Sequence, residues 1–169
     1  MLLRSREPRD VAACVDLLAR VQTRDGYPRH LSGTLSDFLV AGHETGAWVC
    51  EVDGMVTGHV ALHSAAGDPV LDLAQQATGL PAGALAVVAR LLVSPDHRRQ
   101  GIGRALLDLA TRHARDGGRR AVLDVVTDAA GAPAAALYER AGWTTAGTMT
   151  LHFQDGCSLP VMAWLSPEP

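Results

Sequence analysis

The chain has 169 residues, 47% of them hydrophobic and 20% charged, with a net charge of −3. That size fits one domain, residues 1–169, around one core, and the composition is ordinary for a water-soluble globular protein. The slight acidity gives no bulk attraction for nucleic acid, no apolar run is long enough to span a bilayer, and the opening Met-Leu-Leu-Arg-Ser-Arg-Glu-Pro lacks a signal-peptide core. The three cysteines, Cys14, Cys50 and Cys157, are far apart and form no zinc pattern, so reduced thiols and a cytoplasmic location are expected. All fifteen basic residues are arginine, which reads as codon bias.

Leu2–Arg4 predicts a short first strand. Asp10 is placed to cap a helix whose apolar positions Val11, Val15, Leu18 and Val21 recur at helical spacing. Residues 23–36 are rich in Gly, Pro, Ser and His and read as a loop, with Thr34 or Ser36 capping a short helix through Phe38 and Leu39. Ala47–Val52 and Met55–His63 flank Asp53-Gly54, a strong two-residue hairpin signal. Residues 64–83 read as a connection with a short helix near Val70–Ala77. Leu85–Val93 is a strongly apolar strand. Ile102–Asp116 predicts an amphipathic helix with Ile102, Leu106, Leu109 and His113 on one side, ended by Gly117-Gly118. Ala121–Val126 is a strand and Pro133–Ala141 a helix stopped by Gly142. Trp143–Phe153 and Leu159–Leu165 close the chain as a hairpin around Asp155-Gly156.

The strand–helix–strand unit from Leu85 to Val126 implies a parallel pair with a right-handed crossover, whereas the hairpins imply antiparallel neighbours. The expected fold class is therefore α/β, with a mixed sheet and helices on its faces.

The stretch Leu91-Leu-Val-Ser-Pro-Asp-His-Arg-Arg-Gln-Gly-Ile-Gly-Arg104 runs from strand through a basic glycine turn directly into a helix. A helix start leaves backbone N–H groups without partners and carries a partial positive charge, which suits a phosphate. A nucleoside-triphosphate loop needs a lysine, and the chain has none. A dinucleotide fingerprint needs a third glycine where Leu106 stands. An ordinary glycine-opened helix remains open on these residues alone.

With Leu137-Tyr-Glu-Arg-Ala-Gly-Trp143 downstream, the chain resembles the GNAT family of N-acetyltransferases. Its glycine turn is similar to that family's Gln/Arg-x-x-Gly-x-Gly/Ala pyrophosphate loop. The resemblance covers residues 47–165 and is coarser before them. It implies a mostly antiparallel central sheet with a splayed parallel pair. It also implies acetyl-coenzyme A as cosubstrate, no metal, and an amine acceptor on a small molecule or peptide. The diphosphate would be held by Arg98, Arg99, Gln100, Gly101, Ile102, Gly103 and Arg104, mainly through the main chain. The pantetheine arm would pair with the backbone of Leu91, Leu92 and Val93. Tyr138 would be the general acid at the departing thiolate, and Asp124 is the candidate base. His59 and His63, four apart on one strand, are weaker candidates for it. Relatives often carry an asparagine seven residues before the tyrosine; here that position is Gly131. This departure keeps a non-catalytic acyl-coenzyme A module as the alternative. The closing hairpin joins homodimers in many members of the family, so a homodimer is compatible with the chain.

Overall fold

The computed structural model describes residues 1–168. The elements are β1 (Leu2–Ser5), α1 (Val11–Asp25), α2 (Leu35–Leu39), β2 (Glu44–Val52), β3 (Met55–Ser64), α3 (Leu71–Thr78), β4 (Leu85–Val93), α4 (Ile102–Asp116), β5 (Arg120–Val126), α5 (Ala132–Arg140), β6 (Thr144–His152) and β7 (Ser158–Leu165). Seven strands follow the order β1-β2-β3-β4-β5-β7-β6. Among the described residues one pair, β4 and β5, runs parallel, and helices flank the sheet. The expected mixed, mostly antiparallel α/β class is the observed one.

The chain divides into two compact units that share β4 and α4. The first comprises Met1–His63 and Val88–Ala110. Its core is built by Cys14, Leu17, Leu18 and Val21 of α1 with Leu39, Val49 and Leu92. β2 and β3 meet at Asp53 and Gly54, with φ of 52° and 77°, the two left-handed residues that a tight hairpin turn requires. A side chain at Gly58 would come within 2.8 Å of Ile102 and 2.7 Å of Leu106, so this glycine lets α4 lie close on β3. The buried positions of α4 are Ile102, Leu106, Leu107, Ala110 and Ala114. His113, expected on that face, is exposed. The helical repeat reaches the small Ala114 instead, and alanines allow the close approach.

Asp10 also departs from expectation. It precedes α1 but its side chain makes no cap there. It accepts both arms of Arg4, at 2.6 and 2.8 Å, and the Glu7 N–H at 2.8 Å. A guanidinium fork is a stronger partner than one helix N–H. Thr34 does cap α2, accepting from the Asp37 N–H at 3.1 Å.

The second unit comprises Ser64–Val87 and the described residues from Thr111 on. Leu85, Ala86 and Val87 of β4 pair with Arg120, Ala121 and Val122 of β5. The other side of β5 pairs with β7, which pairs with β6. α3 packs on β6, and Gly147 leaves room for Leu73.

Candidate active site

β4 ends where Ser94 N–H donates to the Thr57 carbonyl at 2.8 Å. A single tight turn, Pro95–His97, follows. Arg98 is extended, and Arg99 and Gly101 then take φ of 64° and 82° before α4 begins. Ala105 N–H donates back to Gly101 at 3.0 Å and sets the first turn. Left-handed residues alternating with ordinary ones turn successive N–H groups toward one concavity, and the helix start adds its own N–H groups. Open space surrounds the position a Gly101 side chain would take. Arg98, Arg99, Gln100, Gly101 and Arg104 are all exposed, while Ile102 is buried as the anchor of the helix. A left-handed turn opening directly into a helix is a backbone arrangement whose donors suit an anion such as a diphosphate.

Two of the three arginine side chains already have acidic partners. Both arms of Arg98 reach Asp25 at the end of α1. The Arg104 Nε lies 2.8 Å from Asp108, one turn along α4.

Upstream, β4 carries Arg90 with φ of 51°, a left-handed residue inside a strand. A left-handed residue kinks the strand as a bulge does, a feature that the family resemblance implies for the strand before the loop, and no glycine marks its position here. The only signal was an arginine amid Leu-Ala-Val-Val-Ala and Leu-Leu-Val. The Arg90 Nε donates to the Phe38 carbonyl at 2.7 Å, and its guanidinium lies 4.4 Å from the Phe38 ring centre. Leu91 and Val93 are half-buried and Leu92 is buried, so their side chains serve packing.

Neither candidate histidine is available as a base. His59 is fully buried, with Nδ1 3.0 Å from the Arg90 carbonyl and Nε2 3.1 Å from Arg6 Nη1. A carbonyl only accepts and a guanidinium only donates, so both ring nitrogens are engaged and the ring is neutral. Burial lowers its pKa to about 4. His63, 1% exposed, is lowered to about 3 by burial, with the Arg90 cation adding to the effect.

In the second unit, Tyr138 on α5 is buried, its ring 5.9 Å from those of Trp143 and Trp164. The Tyr138 carbonyl accepts from the N–H groups of Ala141 and Trp143, both at 3.0 Å, and Gly142 with φ of 79° makes that turn. The Leu-Tyr-Glu…Gly-Trp segment is thus one folding unit that fixes the tyrosine backbone. Among the described residues the buried Trp164 indole N–H has no hydrogen-bond partner. Asp124 lies on β5 opposite Ala163 and is exposed, whereas its neighbour Leu123 is buried. A carboxylate on the wetted side of an apolar strand escapes the desolvation penalty expected for a buried one.

Gly131 precedes α5 with φ of −77° and needs no left-handed freedom. A Cβ there would overlap the Val126 carbonyl oxygen. The chain has no room for a side chain at this position, which accounts for the missing asparagine. Among the described residues, no three His, Cys, Asp or Glu side chains are grouped to hold a metal, and no helix is long and apolar enough to cross a membrane.

The sequence profile of the acetyltransferase (GNAT) family matches residues 13–143. The chain belongs to the GNAT family. It is accordingly an acyltransferase of a family that uses acetyl-coenzyme A. No curated protein matches it. Solved structures are similar across nearly the whole chain. The ribosomal-protein-alanine N-acetyltransferase from Brucella melitensis is 17% identical, with a TM-score of 0.71 over 99% of this chain and 100% of that one. The ribosomal-protein-S18-alanine N-acetyltransferase from Escherichia coli is 22% identical, with a TM-score of 0.64 over 99% and 96%. yncA from Salmonella typhimurium, solved with its cofactor acetyl-CoA, is 18% identical, with a TM-score of 0.65 over 100% and 95%. At these identities the likeness is one of fold.

Proposed function

We propose that this GNAT protein transfers the acetyl group of acetyl-coenzyme A to a primary amine of a small molecule or peptide, by direct attack in a ternary complex. The observation that carries this reading is the Arg99–Arg104 loop, where left-handed Arg99 and Gly101 lead straight into the start of α4, a backbone pattern that suits an anion. Acetyl-coenzyme A, when bound, supplies the activated thioester. The main chain from Arg99 to Arg104 grips the diphosphate. Arg99 adds charge attraction directly. Arg98 and Arg104 add less, because their charges are already shared with Asp25 and Asp108. The main chain of Leu91–Val93 pairs with the pantetheine arm, and an N–H near Leu92 faces the thioester oxygen as charge develops there.

An acceptor amine must be neutral to attack. A lysine-type amine of pKa near ~10.4 is neutral about one time in ~10³ at pH 7, and an α-amine near ~8 about one time in ten. A base therefore matters more for the first acceptor class. Asp124 is assigned that role, as an exposed carboxylate that accepts the proton directly or through water. Tyr138 is assigned to the departing thiolate. Free tyrosine titrates near ~10 and a thiol near ~8.5, so outright proton transfer is uphill by roughly 2 kcal/mol in water. Tyr138 acts first as a hydrogen-bond donor and hands over the proton as the charge grows. The acceptor contacts come from residues 26–39 and 64–83, the connecting segments that carry specificity on a fixed scaffold.

The crowding at Gly131 favours one rival, a module that binds acyl-coenzyme A without turning it over. Thiol release from acetyl-coenzyme A across a panel of amino acids, polyamines, aminoglycosides and peptides tests the reading. Acceptor-dependent release supports transfer. Tight binding with no release for any amine refutes it and supports the module.

A further inference from the structure

Arg90 holds a left-handed conformation that a residue with a side chain disfavours, in the middle of a strand. Such a conformation persists only where its surroundings fix it. Here it is gripped from two sides. Its side chain is tied to Phe38 through the 2.7 Å Nε hydrogen bond and the stacked ring. Its carbonyl accepts from His59 Nδ1 at 3.0 Å. His59 is in turn held by Arg6, which donates to Nε2 at 3.1 Å while its other arm pairs with Glu44 at 2.7 Å. A neutral imidazole has one N–H, and Arg6 takes the nitrogen without it, so the proton is forced onto Nδ1, facing the bulge. The ring is fully buried and remote from any role as a base.

We propose that Arg6 and His59 form a positioning pair: Arg6 fixes the tautomer of His59, His59 fixes the Arg90 bulge, and the bulge sets the direction of the Leu91–Val93 main chain. This inference rests on the reading that the Leu91–Val93 main chain meets acetyl-coenzyme A. Neither residue touches the reacting atoms.

Two substitutions separate positioning from packing. His59→Asn keeps an N–H at the place of Nδ1. His59→Gln reaches toward Arg6 and leaves the Arg90 carbonyl without its donor. Amide hydrogen exchange at Leu91–Val93 in the ligand-free protein is expected to be about tenfold faster in His59→Gln, and close to native in His59→Asn. Turnover follows the same split, with kcat about tenfold lower in the Gln variant and the acetyl-coenzyme A Kd within about threefold of native. Equal exchange rates in the two variants overturn the inference. If both variants fail to fold, Arg6→Gln against Arg6→Met gives the same contrast: only Met speeds exchange, and no difference overturns the proposal. Failure of the native protein to bind acetyl-coenzyme A removes the functional reading, whereas the exchange readout still decides whether the pair holds the bulge.

Discussion

Acidification should destabilise this protein well above the pH at which its carboxylates titrate. His59 and His63 are buried, and burial lowers their pKa values to about 4 and about 3. In the unfolded chain both return to about 6.5. Between those limits the unfolded chain binds more protons, so stability is full above pH 6.5 and falls as pH drops toward 4. Each histidine then contributes a loss of about 2 kcal/mol between pH 7 and pH 5, or about 4 kcal/mol together, out of a total stability on the order of 5–15 kcal/mol. Asp10 adds nothing in this window. The Arg4 fork holds its pKa down to about 2, so its contribution is lost only between about pH 4 and pH 2. Urea unfolding at pH 7, 6 and 5 measures the effect. The His63→Asn variant removes one titrating group and should halve the slope. A free energy of unfolding constant to within about 1 kcal/mol from pH 7 to pH 5 would show that these rings are not neutral and buried.

Other expectations concern the site. Tyr138→Phe should lower kcat by about 10²-fold or more while acetyl-coenzyme A binding by calorimetry stays nearly unchanged; an unchanged kcat removes Tyr138 from the chemistry. Gly101→Val forces a β-branched residue to φ of 82° and should weaken acetyl-coenzyme A binding at least about tenfold, with little steric cause in the free protein. Gly131→Asn, which restores the residue common in relatives, should cost about 1–3 kcal/mol in urea unfolding because its Cβ meets the Val126 carbonyl. It should also bring no gain in acetyl-coenzyme A affinity. Asp25→Asn frees Arg98 and should tighten binding modestly at low salt, an effect that disappears as salt rises.

What the sequence made legible was local. Asp53-Gly54 placed the first hairpin, Gly117-Gly118 stopped α4, and the glycine turn located the loop at Arg98–Arg104 because each pattern acts over a few neighbouring residues. The elements moved by only a residue or two, apart from β2, which starts at Glu44, three residues before the expected Ala47. The misses were contacts between distant segments. By sequence His59 is a candidate base because its ring has a suitable pKa in water. Arg6, 53 positions away, and Arg90, 31 away, decide otherwise. The family resemblance implies a bulge in the strand before the loop, but no glycine marks its place at Arg90. Asp10 left its helix for Arg4, a choice that depends on the pairing of β1 and on nothing near Asp10 in the helix pattern. By sequence Gly131 is a departure from the family pattern; that the backbone at Val126 leaves no space for a side chain there is a packing fact.

The proposed function depends on the loop at Arg99–Arg104 gripping a diphosphate through its main chain. Calorimetry with acetyl-coenzyme A and with S-acetylpantetheine, which lacks the diphosphate, tests it most directly. The expected result is a Kd of roughly 1–100 μM for acetyl-coenzyme A and binding weaker by at least about 10²-fold for the truncated thioester. No heat with acetyl-coenzyme A at sub-millimolar concentration, or equal affinity for the two, would contradict it.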